Sequence, residues 1–265
     1  MHLAIVTEEL ARGCASTAVI YASHLSLCAK YIDKFGSDEQ KASYLPKLVT
    51  ASTLGALALT EPDAGSDVAA IKTLVTDTDG GFLINGSKHF ITNAKEAGVI
   101  IIVASRDPSL GYKGLETFIL ESPCEGLTIT PQKGKLGIRA SSTCELNFNN
   151  AFIPRVNRIG EAGRGFHMTM EVLDIGRILI AAQSVGIAQM ALDASLKYSK
   201  QRRAFGNSIS DFQAIQIMLA NMATEIEAAR LLTYRSAVLS AVSYTHLRAH
   251  ETLRYLVCRV LREKK

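Results

Sequence analysis

The 265-residue sequence predicts an α+β protein of several domains, in which a central antiparallel β domain lies between helical segments. Three observations predict it. Apolar residues recur at helical spacing from Leu3 to about Leu48 and again after Phe166. Between Leu54 and Pro154 the spacing changes to an alternation of period two, interrupted by turn residues. The glycine-rich stretch GEAGRGF (160–166) marks the return to the helical pattern. These changes divide the chain into a partial helical domain (1–53), a β domain (54–159), part of a helical bundle (160–241) and a tail of different composition (242–265).

The first helices place Ile5, Leu10, Ile20, Leu25 and Tyr31 among good helix formers. KFGSDEQKASYLPKL supplies a break and a restart: Gly36 is a C-cap, and Ser37 with Glu39-Gln40 behind it is a capping box. LGALALT, AIKTLVTD, GFLINGSKHFIT, GVIIIVASR, GLETFILES and CELNFNNAFIP read as strands, with Asp79-Gly80 and Asn85-Gly86 as the strongest hairpin signals. Cys144, Leu146 and Phe148 alternate with Glu145, Asn147 and Asn149, one dry face and one wet. A long helix then carries Phe166, Met170, Leu173, Ile180, Ile187 and Ala191 on one face and ends near Arg202. A second begins at Ser210 or Asp211 with Ile215, Leu219, Met222, Ile226 and Leu232 as its stripe.

Composition excludes several classes. The longest apolar run, GVIIIVA (98–104), is too short to span a bilayer, and the N-terminus lacks the order of a signal peptide, so the expectation is a cytoplasmic protein without a membrane partner. Five cysteines lie without CxxC spacing, which suits reduced thiols better than a disulfide frame, and no His/Cys/acid group has metal-ligand spacing. The net charge of +4 is a local matter: of 29 Lys+Arg and 25 Asp+Glu, six and two fall within 243–265, which leaves the body neutral and gives no basic surface for nucleic acid. That tail, VSYTHLRAHETLRYLVCRVLREKK, departs abruptly from the Ala/Leu-rich helix before it and resembles the conceptual translation of a sequencing adaptor, hence a non-native segment. The alternative is a basic amphipathic helix.

The segments ALTEPDAGSD, NGSKHFITNA, KLGIRASSTCEL, VLDIGRI and QRRAFGNSISDFQ follow one another in that order. In order and element type they resemble the acyl-CoA dehydrogenase family, above all its short-chain and butyryl-type members, over nearly everything from Leu3 to Ala241. The resemblance implies FAD as cofactor. An isoalloxazine ring is an apolar slab with a polar edge, so Leu57, Leu59 and Thr60 at a strand end can offer side chains to its face and a hydroxyl and amides to its edge. Gly65 and Ser66 suit a pyrophosphate or pantetheine oxygen. Without the other motifs the same string is an ordinary strand and polar turn.

By resemblance, Phe90, Ile91 and Thr92 form a second flavin wall; many relatives carry Trp where this sequence has Phe90, a change that keeps an aromatic for stacking. Asp174 and Arg177, three residues apart on one helix face, take the acyl-CoA, with Ser66 and Ser141 as further contacts. Read without the family, the first pair is an exposed ion pair of little energetic weight. Arg202, Phe205 and Gln213 match the segment that reaches across a dimer interface to the partner's FAD, which implies a homo-oligomer, a dimer of dimers in the full-length protein.

The reaction implied is α,β-dehydrogenation of a short-chain acyl-CoA, with electrons passing on to an electron-transferring flavoprotein. The base in relatives is a Glu, either far along the C-terminal helices or immediately before the Arg of the first long helix. Here that second position is Gly176, so no catalytic residue is assigned and the chain, expected to be truncated at both ends, is expected to be inactive. Glu61 beside Pro62 reads as a turn and hydrogen-bond residue, Glu171 and Glu225 as solvated helix faces, and His89 and His167 as structural or surface residues. Two other readings stay open: a flavin oxidase or monooxygenase on the same fold, and a basic-tailed nucleic-acid-binding protein.

Overall fold

The computed structural model describes residues 1–241, so the tail read as an adaptor translation lies outside the described residues. The chain forms two compact units, one of Ile20–Gly176 and one of Met1–Val19 with the chain from Arg177 onward.

The first unit is built on an eight-stranded sheet. Its strands are β1 (Leu54–Ala58), β2 (Leu74–Thr78), β3 (Gly81–Thr92), β4 (Ala97–Ser105), β5 (Leu115–Glu121), β6 (Leu127–Pro131), β7 (Thr143–Pro154) and β8 (Arg158–Ile159). The order is β6-β7-β3-β2-β4-β5-β8, with β1 added on β4. Most pairings are antiparallel as expected, but β1 runs parallel to β4, with Ala58 beside Ile102, and β2 makes a short parallel pairing with it. β1 enters from the helical segment and is returned to β4 by way of the β2–β3 hairpin, so the two strands point the same way.

Alternation sorts the strands into two cores. Phe82, Ile84, Ile100, Ile102, Phe118, Cys144, Leu146 and Phe148 fill one face of the sheet, and the wet residues Asn147 and Asn149 lie exposed on either side of Phe148. Leu57, Ile101, Val103, Leu115 and Ile119 face the opposite way, toward Tyr31, Ile32, Tyr44, Leu48, Met168 and Val172 of the helices. Those helices are the end of α2 (Ala15–Ala22), a π-helical stretch Ser23–Ala29, α3 (Lys30–Phe35), α4 (Asp38–Val49) and the start of α5 (Gly165–Gln201). The capping box forms as read, with Gln40 bonded to Ser37 in both directions, and Gly36 closes α3 in extended rather than left-handed backbone. His24 joins helix to sheet. Its Nδ1 accepts from the Gly55 amide at 2.9 Å, which puts the ring proton on Nε2, 2.8 Å from the Leu48 carbonyl.

Asp79-Gly80 makes the predicted hairpin between β2 and β3. Asn85-Gly86 does not. These residues lie inside β3 opposite a bulge of β7, where the Asn85 side chain bonds Asn150 at 2.9 Å. Glycine is needed at 86 for a different reason: its φ is 137°, and a Cβ would stand 2.8 Å from Thr73 Cα. The strand β6 was not expected, because LTITP carries a terminal proline and little apolar content.

The second unit holds α1 (His2–Gly13), the later part of α5, the small hairpin β9 (Arg203–Ala204) and β10 (Asn207–Ser208), and α6 (Gln213–Ala241). α1 buries Ala4, Thr7, Glu8 and Ala11 while Ile5 is exposed, which corrects the expected apolar stripe. Small residues win because α5 comes close: a Cβ on Gly186 would lie 2.2 Å from the Glu8 carbonyl. The buried Glu8 carboxylate takes Arg230 Nε and the Tyr234 hydroxyl, each at 2.8 Å. On α5 the predicted stripe is only half right. Ile180, Ile187 and Ala191 are exposed, and Ile178, Leu179, Ala182, Val185 and Leu192 are buried in their place. Of the α6 stripe only Ile226 is buried, with Ile215, Leu219, Met222 and Leu232 half-buried, and the helix starts at Gln213, after a 3-10 turn over Ile209–Asp211. Among the described residues α5 is the one helix long and apolar enough to cross a bilayer, and 44% of its most apolar window is buried within the fold.

Replacing Gly86 by Ala should cost roughly 2–4 kcal/mol, combining left-handed strain with overpacking against Thr73. Urea unfolding of the two proteins measures this, and an unchanged midpoint would refute the close approach.

Candidate functional site

β1 ends at Ala58, and the chain then leaves the sheet through Leu59, Thr60 and Glu61. What holds this exit is a residue of β3. Lys88 is fully buried, and its Nζ lies 2.9 Å from the Leu59 carbonyl and 2.8 Å from Glu61 Oε1. One residue on, the His89 amide donates to the Thr60 carbonyl at 2.7 Å. The Glu61 carboxylate also accepts the amides of Lys72 (2.7 Å) and Thr73 (3.0 Å), which closes the loop that carries Gly65 and Ser66. Burial alone would push the Glu61 carboxyl up, but Lys88 and the two loop donors outweigh it and hold it below the usual range. Burial brings the Lys88 ammonium down to about 8 even with Glu61 beside it.

Immediately after Lys88 the β3 register shifts against β7, so that the extra residue falls at His89-Phe90. Phe90 has φ 59° and its side chain is 62% exposed. A bulky aromatic in left-handed backbone is strained by about 1–2 kcal/mol, and the edge-on contact of its ring with His89 at 5.3 Å leaves most of the residue exposed. Thr60 and Thr92 are half-buried, and among the described residues neither hydroxyl has a hydrogen-bond partner. The amides of the exposed Gly65 and Ser66 likewise have no acceptor there. The two free hydroxyls and the exposed ring therefore lie on the β1 exit and the end of β3, segments that the Lys88 and His89 bonds join, and the unpaired amides lie on the loop that Glu61 closes. This donor set fits a flat aromatic cofactor with a polar rim and an anionic extension.

Leu57 is buried in the helix-facing core, with Leu59 half-buried beyond it. Ile91 is buried in the opposite core, so its main chain is what it can present. Ser141, also buried, is brought close by the sheet: Thr143 pairs with Thr92, and the Asn93 amide donates to the Ser142 carbonyl at 3.1 Å. Asp174 stands half-buried on α5 within this same unit.

Arg177 is exposed and belongs to the other unit, as do Arg202, Phe205 and Gln213. Both Asp174 and Arg177 have interaction partners within the chain. Arg202 leads into the β9–β10 hairpin, whose two-residue turn is Phe205-Gly206, both with positive φ. Phe205 is 95% exposed at its tip, and Gln213 opens α6. Gly176 faces the tip of Leu27, and no side chain serves at that position.

Two residues of the site were not foreseen. Lys88 sits in a strand whose alternation makes it inward, a signal that was available. Asn93, 1% exposed with φ 67°, donates to the Ile20 carbonyl (3.0 Å) and to the Gly55 carbonyl (3.4 Å), pairings that only the fold creates. Glu61 is the hydrogen-bonding turn residue the sequence indicated.

Models of three domains match the chain in order: acyl-CoA dehydrogenase N-terminal domain at 1–52, middle domain at 56–151 and C-terminal domain at 163–263, the last running across the tail. The chain is 45% identical over 235 residues to the short-chain specific acyl-CoA dehydrogenase of Rattus norvegicus, covering 89% of this chain and 57% of that protein. The butyryl-CoA dehydrogenase structure from Megasphaera elsdenii superposes with a TM-score of 0.86 at 44% identity, over 88% of this chain and 61% of the other. A chain from the structure of the electron transferring flavoprotein of Acidaminococcus fermentans gives 0.86 at 45%, over 88% and 61%. The chain thus spans about three fifths of the length of these relatives.

Phe90→Gly should leave the stability of the ligand-free protein within about 1 kcal/mol of the parent, since relief of strain offsets added chain entropy. A loss above about 2 kcal/mol by chemical unfolding would show that the ring is a packing element. Glu61 gives a pH prediction. Its native carboxyl titrates below 4.5, the ordinary value, so the unfolded chain binds the proton first as pH falls. The stability it contributes is complete above that value and is lost below it. Unfolding free energy should therefore fall less steeply with pH below 4.5 in Glu61→Gln than in the parent, and parallel curves would contradict this.

Proposed function

Because the chain belongs to the acyl-CoA dehydrogenase family, we propose that it is part of an FAD-dependent dehydrogenase that introduces an α,β double bond into a short-chain acyl-CoA. The observation that carries the reading is the joined β1 exit and β3 end, on which Thr60 and Thr92 keep free hydroxyls and Phe90 is exposed and strained. Bound there, FAD would supply the acceptor for the β hydride of the substrate.

The chain's own residues supply binding and orientation. Thr60 and Thr92 offer donors to the polar rim, Phe90 a face for stacking, and Gly65 and Ser66 amides for a phosphate or pantetheine oxygen. The likeness to the family supports Ser141 and Asp174, and separately Arg177, as contacts for the CoA portion. Short-chain specificity is supported by the likeness to short-chain and butyryl-type relatives. An electron-transferring flavoprotein as electron acceptor is supported by the likeness to a chain in such a structure.

Removal of the α proton needs a carboxylate, and Gly176 has none to give. The protein as it stands is therefore proposed to bind FAD and acyl-CoA without turnover. The exposed tip Phe205, with Arg202 and Gln213, supports a cofactor site shared between two copies of the chain, within a homo-oligomer. A cytoplasmic setting accords with four unpaired cysteines among the described residues.

Purified protein titrated with FAD and then butyryl-CoA tests this. The expected result is a yellow oligomer whose flavin spectrum is perturbed by the ligand without steady bleaching, and with affinity reduced about tenfold or more in Arg177→Ala. Failure to take up FAD would refute the cofactor reading. A flavin-saturated monomer on gel filtration would refute the shared site, and sustained bleaching would refute the missing base.

A further inference from the structure

A lysine with no solvent exposure is rare, because removing an ammonium from water costs several kcal/mol that a single carboxylate seldom recovers. Lys88 is such a residue, and its partners lie on the element opposite rather than on its own strand. It occupies the last regular position of β3 before the register shift that turns Phe90 outward. Its Nζ reaches across to the Leu59 carbonyl (2.9 Å), one residue before Thr60, and to Glu61 Oε1 (2.8 Å), one residue after it. Thr60 is thus bracketed by the two acceptors of one ammonium, and its own carbonyl is taken by the amide next to Lys88.

We propose that Lys88 and Glu61 are positioning residues for the flavin, a buried clamp that sets the spacing between the Thr60 exit of β1 and the Phe90–Thr92 wall of β3 and, through the Glu61 bonds to Lys72 and Thr73, the loop bearing Gly65 and Ser66. The inference rests on the flavin reading given above. Both side chains are buried and would act through the backbone rather than by touching the cofactor. Packing alone is a poor account of the pair, since apolar residues of similar volume would hold two strands together at least as well. What an apolar pair cannot do is fix the direction of the Leu59 carbonyl, and with it the peptide plane that carries the Thr60 amide.

The test separates positioning from stability. Three variants, Lys88→Met, Glu61→Gln and the double Glu61→Gln/Lys88→Met, are compared with the parent for thermal unfolding without ligand, for FAD affinity, for the fine structure of the bound-flavin absorption band, and for amide hydrogen exchange over residues 59–73. Each single variant leaves one buried group without its partner and should melt lower. The double variant, neutral and close in shape, should regain most of that loss. FAD affinity should nevertheless stay about tenfold or more below the parent in the double variant, with a blurred absorption band and faster exchange at 59–73 in the apoprotein. If the double variant recovers melting temperature, affinity and spectrum together, the pair is structural only and the proposal is overturned. Parent-like affinity in Lys88→Met would also overturn it. Should a single variant fail to fold, the double variant and its exchange pattern still decide. A parent that binds no FAD would instead remove the flavin reading beneath the proposal, a separate outcome.

Discussion

An ammonium group closed off from water, held between a carboxylate and a main-chain carbonyl, joins the end of β1 to the middle of β3. Every residue assigned to the flavin in the sheet-bearing unit lies within a few positions of that contact or on the loop it closes. The contact is costly to build and costlier to break, because deleting either partner leaves the other a buried charge with hydrogen bonds but no counter-ion, a penalty of up to about 3–5 kcal/mol. It resembles a device for geometry more than one for stability. The hydrophobic cores on the two sheet faces already supply the driving force for folding.

The aromatic residues of the site carry a second constraint. Phe90 and Phe205 both adopt left-handed backbone, at φ 59° and 53°, and both are exposed. A ring buried in a core would offset that strain through many contacts, whereas Phe90 packs edge-on against His89 and Phe205 against Phe212 with much of each ring left exposed. Strain in an exposed aromatic residue motivates a role in binding something outside the polypeptide. In Phe90 the outward turn follows from the register shift after Lys88, and in Phe205 from a two-residue hairpin turn with positive φ at both positions.

Much of this was legible in the sequence, for identifiable reasons. The alternation of Cys144, Leu146 and Phe148 fixes which face of β7 is dry, and the Ser37–Gln40 box fixes where α4 begins. Asn85-Gly86 misled because the same dipeptide serves a hairpin turn and a close strand crossing, and only the position of Thr73 tells them apart. The stripe on α5 was misplaced beyond Ile178 because that helix is apolar on more than one side, so periodicity alone does not choose the buried face. At the site, Thr60, Phe90 and Thr92 could be named from their motifs. The joining of their two segments could not, since it depends on a parallel β1–β4 pairing and on bonds between residues 27 to 29 positions apart.

The central claim is spatial, and a crystal structure of the protein saturated with FAD tests it most directly. The account predicts the isoalloxazine ring against Phe90, its polar rim within hydrogen-bond distance of the Thr60 and Thr92 hydroxyls, and the Lys88 ammonium still on Leu59 and Glu61. A ring bound away from those residues, or bound there with Lys88 swung clear of both partners, would contradict it.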